Sequence, residues 1–360
     1  MEIHVKDDLY QLDISRYFSK EVPALQPTKG NLLEILSEII VGTKEIRYGN
    51  YPVPEQLVII RDVIRRAMEA DAPIPFLVPF GGIKADKTGD IDVAEFVAIK
   101  RLNSLGECIK KYYAPGAVMN VRIEDVNALY LYGESSAKAV ENYSFNLAQL
   151  IRIVRTGAIM PVAESTLLKG EDYFIIADAN KSPILHYLVE SDLNPSLIGK
   201  GDSYQRLVDI GWNGEIPWEQ RAFYLNRYEK LYPGKQRHEY LEMMAKYLAG
   251  SKARHQMKAT AEPKIDGVGF IQLNYTQPVP GAPSTMFNNT IYYRTLPLSE
   301  ARTHMPAWRS KGYLKINEHG QIKAKITNFH EKEIIDNLTP AITELIDGDR
   351  KVVLRTDYLC

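Results

Sequence analysis

Only two cysteines occur in the 360 residues, Cys108 and Cys360, which excludes a disulfide framework and an all-cysteine zinc site. A reducing, cytoplasmic setting is the expectation. The first residues contain no apolar signal core, and no window reaches the ~18 consecutive apolar residues of a membrane helix. An unexported, soluble protein with no membrane partner is expected. Basic and acidic residues nearly cancel, 44 Lys plus Arg against 45 Asp plus Glu. The global basic excess of a dedicated nucleic-acid binder is therefore missing, and no nucleic-acid partner is expected. There is no Gly-x-Ser-x-Gly elbow, no P-loop and no Gly-x-Gly-x-x-Gly, so hydrolase-triad, Walker-type and standard dinucleotide chemistry have no local support. The seven histidines show neither His-x-x-x-His nor two-His-one-carboxylate spacing, and no metal site is expected. No internal repeat and no low-complexity tract is present.

What remains is the composition of an ordinary globular chain, 45% hydrophobic and 25% charged, long enough for one large or two ordinary domains. Apolar residues at helical spacing mark residues 32–46 and, after Pro52 and Pro54, residues 55–70. Pro54 sits near the first helical position, where its missing N–H is harmless. The apolar run from Ile74 to Phe80 reads as a buried strand closed by Gly81 and Gly82. Residues 92–112 read as a helix, with Asp92 and Glu95 as an N-terminal capping pair. Residues 117–123 alternate like a strand, 135–154 read as a helix capped by serine, and 159–163 as another strand. Strands alternating with helices predict an α/β sheet covered on both faces.

Residues 194–217, rich in Gly, Ser, Asp and Asn, read as a loop, either a lid or a linker. Helical patterns return at 218–231 and 238–248. From Gly267 the texture is β: strands at 270–275 and 290–294, and a hairpin of 312–316 with 321–326. A helix over 331–346 and a last strand at 351–355 complete the pattern. The expected division is a catalytic unit over 1–260 and a smaller, mostly antiparallel C-terminal element over 261–360 that completes the site.

Two stretches carry chemistry. The first runs from Pro79 to Glu95, with Gly81, Gly82, Lys84, Asp90 and Asp92. A loop leaving a buried strand and entering a helix is where open α/β sheets bind ligands. Lys84 suits a phosphate or, desolvated, attack on a carbonyl. A solvated polar turn with Asp92 as a simple cap is the bland alternative. Asp90 and Asp92 also suit a magnesium-dependent nucleotidyl or other phosphate-handling transferase, although such carboxylates belong on a strand and this pair opens a helix. The second stretch holds Tyr292, Arg294, His304, Arg309 and Lys311. Guanidinium forks and aromatic walls suit a small anionic or amino-acid ligand, while exposed β-surface residues are the plain reading. A non-catalytic ligand-binding protein would keep the same scaffold.

Pro79-Phe80, Lys84, Asp92 and Glu95 leading an apolar helix, then Tyr112-Tyr113-Ala114-Pro115-Gly116-Ala117, then Glu124-Asp125 after a strand, resemble the isocyanide (isonitrile) synthase family, which includes the pyoverdine and dityrosine biosynthesis proteins. Ile271-Gln272-Leu273-Asn274 and Pro306-Ala307-Trp308 resemble its later blocks. The resemblance covers roughly residues 75–125 and, more loosely, 265–330. It implies a Rossmann-like sheet with flanking helices and a cofactor-independent enzyme. That enzyme would convert the α-amino group of an amino acid, aromatic for preference, to an isonitrile with carbon from ribulose 5-phosphate, through imine formation and carbon–carbon cleavage. It further implies Lys84, Asp92 and Glu95 as catalytic candidates. Gly81, Gly82, Glu124, Asp125, Tyr292, Arg294, His304, Arg309 and Lys311 become candidates for holding substrate and phosphate.

Overall fold

In the computed structural model the described residues are 29–44, 46–48, 52–80, 91–154, 157–212, 216–257, 267–275, 290–293, 313–316, 321–326, 342–347 and 350–353. Five parallel strands form the main sheet: β1 (Ile74–Phe80), β3 (Ala117–Ile123), β4 (Ile159–Ala163), β5 (Ile271–Asn274) and β6 (Thr290–Tyr292), in the order β4-β3-β1-β5-β6. Chain order runs outward from β1 through β3 to β4, then returns to the other side of β1 with β5. The reversal between β1 and β5 is the topological switch point of an open α/β sheet. The expected α/β architecture with flanking helices is the architecture present.

β1 is a central strand containing two prolines, Pro75 and Pro79, and its pairing shows how that is tolerated. The Ile74 N–H donates to the Gly116 carbonyl on the β3 side, 3.0 Å, and the Phe80 carbonyl faces the same side. Even-numbered residues therefore face β3 and odd-numbered ones face β5, so both prolines direct their missing N–H toward β5. β3 pairs along all of Ile74 to Phe80, whereas β5 pairs only at Phe76 and Leu77. The prolines thus limit the β1–β5 ladder and leave the strands unladdered at the carboxyl end of the switch point.

Helices α1 (Lys29–Val41), α2 (Pro54–Glu69), α3 (Val93–Tyr112) and α5 (Ala137–Val154) build the rest of this layer. Pro54 opens α2, and Gln56 accepts the Val53 N–H at 2.9 Å, which satisfies a free donor at the helix start. α2 buries Gln56, Ile60, Val63, Ile64 and Ala67, and α5 buries Val140, Tyr143, Leu147, Leu150, Ile151 and Val154, the stripes that their periodicity predicts. α3 is buried nearly all round, Phe96, Val97, Ile99, Leu102, Leu105 and Ile109 included, with Cys108 in the same core.

A second sheet has the order β10-β9-β8-β7-β2. It holds β2 (Ile91–Asp92), β7 (Tyr313–Ile316), β8 (Ile322–Ile326), β9 (Ile342–Asp347) and β10 (Arg350–Val353). β7 and β8 are the expected antiparallel hairpin pair, and only the β8–β9 pairing is parallel. β2 pairs with β7, Asp92 opposite Tyr313, so the chain enters α3 directly from this sheet.

Several expectations require correction. β5 and β6, expected within the antiparallel C-terminal element, complete the parallel sheet. Residues 342–346, expected at the end of a helix, form strand β9, where Ile342 and Ile346 pair with β8; the remainder of that expected helix lies outside the described residues. Asp92 directly precedes α3, where its cap was expected, and is also the last residue of strand β2. The expected loop at 194–217 contains a 3-10 turn (Pro195–Leu197) and helix α7 (Gly201–Asp209). Leu207, Trp212 and Ile216 anchor it in a helical core, so apolar burial outweighs its loop-like composition. Two helices went unanticipated: α4 (Asp125–Tyr132), only two turns long, and α6 (Gly170–Leu193), whose apolar residues are spread around it and which contains Pro183.

The connection from β4 to β5 is helical: α6, α7, α8 (Trp218–Leu231) and α9 (Arg237–Gln256). α6 and α9 pack along each other, allowed by Ala245, Ala249 and Ala253 at one-turn spacing on α9, all fully buried. α9 also packs on α4, which seats the helical unit on the carboxyl ends of β3 and β4.

Candidate functional site

Because all five strands of the main sheet are parallel, their carboxyl ends lie on one edge. β1 ends there at Phe80, β3 leads into Glu124, β4 into Glu164, β5 into Tyr275, and β6 ends at Tyr292. The Glu124 N–H donates to the Phe80 carbonyl at 2.9 Å, so Glu124 stands beside the last residue of β1.

Glu124 belongs to a network of two carboxylates and two guanidiniums. Arg254, from the last turns of α9, donates through Nη1 to Glu124 Oε1 at 2.7 Å, and its Nε lies 3.0 Å from Glu164 Oε1. Arg122, on β3 and 5% exposed, is 3.9 Å from Glu124 Oε1. Glu164 is 1% exposed, and its other oxygen accepts the Asn127 N–H at 3.2 Å. The Tyr173 hydroxyl lies 2.9 Å from both Asn127 Oδ1 and the Gly250 carbonyl, two acceptors for one proton. One arginine from the helical unit thus clamps the ends of two adjacent strands.

Burial pushes the Glu164 carboxyl above the usual range; Arg254 opposes this and Glu124 adds to it. For Arg254, burial acts against the charge, but Glu124 and Glu164 outweigh it and its pKa is raised. The guanidinium is therefore a permanent cation, and Glu164 is the carboxyl of the network that burial favours in its protonated form. Burial likewise raises the Tyr173 hydroxyl, which keeps it neutral.

Asp125, the neighbouring candidate, accepts the Ser165 N–H at 2.9 Å and the Ser165 hydroxyl, and the Val126 N–H at 3.0 Å. It ties the start of α4 to the turn after β4. Glu95, in the first turn of α3, is 2% exposed and accepts from the Tyr143 hydroxyl at 3.1 Å, so it faces the core instead of water. Tyr292 is buried on β6, on the far side of the switch point from Glu124, and its carbonyl accepts the Tyr48 N–H. Lys84, Gly81, Gly82, Arg294, His304, Arg309 and Lys311 lie outside the described residues, as does the Asp92 side chain.

At the switch point, Tyr275 packs its ring against Phe80, centroids 6.2 Å apart, and against Tyr293 at 6.0 Å. The Tyr275 hydroxyl is buried and has no hydrogen-bond partner among the described residues. Among the described residues no three His, Cys, Asp or Glu side chains are grouped to hold a metal ion, and no helix is long and apolar enough to cross a membrane.

Sequence reasoning missed Arg254, Glu164, Arg122, Asn127 and Tyr173. Glu164 had a usable signal: it is the first residue after the expected strand 159–163, where ligand-facing groups of open sheets stand. Arg254 follows the alanine stripe of α9, which signals a closely packed helix face.

No family model matches the chain, and no curated protein matches it. Among solved structures it is similar to the PvcA protein of Pseudomonas aeruginosa at 17% identity and a TM-score of 0.47, over 89% of this chain and 92% of that one. It is also similar to tyrosyl-tRNA synthetases. That of Leishmania major, in complex with tyrosinol, is 11% identical with a TM-score of 0.27, over 52% of this chain and 25% of that one. That of Pyrococcus horikoshii, complexed with L-tyrosine, is 10% identical with a TM-score of 0.27, over 67% of this chain and 59% of that one.

Proposed function

We propose that the chain is an isonitrile-synthase-like enzyme that needs no cofactor and joins an amino acid, aromatic for preference, to ribulose 5-phosphate at the carboxyl edge of the parallel sheet. The observation that supports this is the meeting of the two ends of the block that resembles that family. Pro79-Phe80 and Glu124-Asp125 are far apart in sequence, yet the Glu124 N–H is bonded to the Phe80 carbonyl. Gly81, Gly82 and Lys84 follow Phe80 in the sequence.

In this reading Lys84 contacts the sugar phosphate or moves protons, and Asp92 and Glu95 orient the loop and helix. Arg294, His304, Arg309 and Lys311 hold phosphate and carboxylate, beside the aromatic Tyr292. The substrates are small cytoplasmic metabolites. Incubating the purified protein with ribulose 5-phosphate and a panel of amino acids, followed by mass spectrometry for an isonitrile, tests the proposal.

One observation favours a second reading. Asp92 lies on a strand, as a carboxylate pair of a magnesium-dependent phosphate-handling transferase would require. Chelation separates the two: it abolishes a metal-dependent transfer and leaves isonitrile formation intact.

A further inference from the structure

We propose that Glu124 is the proton-transfer carboxylate of this site and that Arg254 and Glu164 are its positioning pair. The proposal rests on the functional reading above and adds residues to it. Glu124 contacts Arg254 and Arg122 through the single oxygen Oε1. Its Oε2 accepts no hydrogen bond among the described residues, and its side chain is 15% exposed. One oxygen is thus held and the other is open to a ligand. Glu164 differs: it is 1% exposed, with one oxygen on Arg254 and the other on the Asn127 N–H.

As a structural link the arrangement is a poor choice. A buried ion pair is often no better for stability than well-packed apolar groups, because both charges lose their hydration. Its value is geometric: Arg254 is held between two carboxylates and can neither swing away from Glu124 nor lose its charge. Glu124 in turn stands at the carboxyl end of β3, with its backbone fixed to the last residue of β1.

The step this serves is imine formation. Glu124 takes a proton from the α-ammonium group of the amino acid, and the neutral amine attacks the ketone carbon of ribulose 5-phosphate. A carbon–nitrogen bond forms, and the nitrogen proton moves to the carbonyl oxygen to give a carbinolamine. Protonated Glu124 then returns its proton to that hydroxyl, the carbon–oxygen bond breaks, and water leaves. The products are the protonated imine and the ionised Glu124 that began the step, so charge and hydrogens balance.

The described charged and titratable groups facing Glu124 are Arg122 on β3, Arg254 on α9, Glu164 after β4 and Tyr173 on α6. The test is the pH profile of kcat/KM for isonitrile formation, with melting temperature, in the wild type, Glu124→Gln and Glu164→Gln. Glu124→Gln, which keeps an acceptor oxygen for Arg254 but loses the charge, is expected to remain folded with a lowered melting temperature and to lose about 100-fold or more in kcat. Glu164→Gln is expected to stay active but to shift the acidic limb to lower pH, because it removes a negative neighbour and frees Arg254 for Glu124. If Glu124→Gln fails to fold, Glu124→Asp replaces it, with reduced kcat and a retained acidic limb expected. An active wild type whose Glu124 variants keep full kcat, or whose limb is unmoved by Glu164→Gln, overturns this proposal alone. A folded but inert wild type overturns the functional reading and the proposal with it.

Discussion

The Tyr173 hydroxyl and the Gly250 carbonyl lie 2.9 Å apart, joining α6 to α9 beneath the Arg254 network. A Cβ at position 250 would stand 2.8 Å from both that hydroxyl and Asn127 Oδ1. Alanine in a helix normally gains ~1 kcal/mol over glycine. Here overpacking into two buried, hydrogen-bonded side chains, worth ~1–3 kcal/mol, should outweigh it. Gly250→Ala is expected to lower the melting temperature, read by thermal denaturation; a rise would mean that α4 and α6 yield at no cost.

Arg254→Met removes one partner of a buried pair and should destabilise by about 3–5 kcal/mol near neutral pH. The loss should shrink in acid. Glu164 has a raised pKa when folded, so its contribution is most favourable below the unfolded value and fades as pH rises through the folded one. Without Arg254 the folded pKa rises further, and neutral pH becomes worse for the variant. Urea unfolding at pH 5 and pH 8 checks this: the difference from wild type must be larger at pH 8.

Tyr275→Phe deletes a buried hydroxyl that has no partner among the described residues. Stability in the absence of ligand should be unchanged or higher by ~1 kcal/mol, since no hydrogen bond is lost and an uncompensated polar group is removed. A clear loss in chemical denaturation would show that the hydroxyl is bonded in solution.

Arg221 is fully buried in the helical unit. It donates to the Ser191 hydroxyl at 2.7 Å and the Ile216 carbonyl at 2.8 Å, and its guanidinium stands 4.9 Å from the Tyr187 ring centroid. Arg221→Ala should destabilise by ~3 kcal/mol or more through an unfilled volume and an orphaned carbonyl. Hydrogen exchange should show the loss concentrated in α6 to α8.

The main sheet was legible because β1, β3 and β4 announce themselves as apolar runs bounded by prolines or glycines, and α2 and α5 through clean 3.6-residue stripes. α6 was not, because it is buried from several directions and its apolar residues trace no single face. The loop-like 194–217 misled for the opposite reason: its composition is that of a turn, while Leu207, Trp212 and Ile216 supply the burial that orders it. At the site, Glu124 was picked out through the resemblance of the 75–125 block. Arg254 was not, since it is 130 residues away and only the packing of α9 on α4 brings it near. The basic and aromatic candidates from Arg294 to Lys311 fall outside the described residues, so the structure places none of them.

The central claim is tested most directly by carbon transfer. The protein is incubated with tyrosine or tryptophan and uniformly carbon-13-labelled ribulose 5-phosphate, and the product is analysed by mass spectrometry and carbon NMR. The account predicts an amino-acid isonitrile whose new carbon is labelled and whose nitrogen comes from the amino acid, formed equally well with a chelator present. Folded protein that leaves every amino acid of the panel unmodified, or transfer that stops when metal is removed, would contradict it.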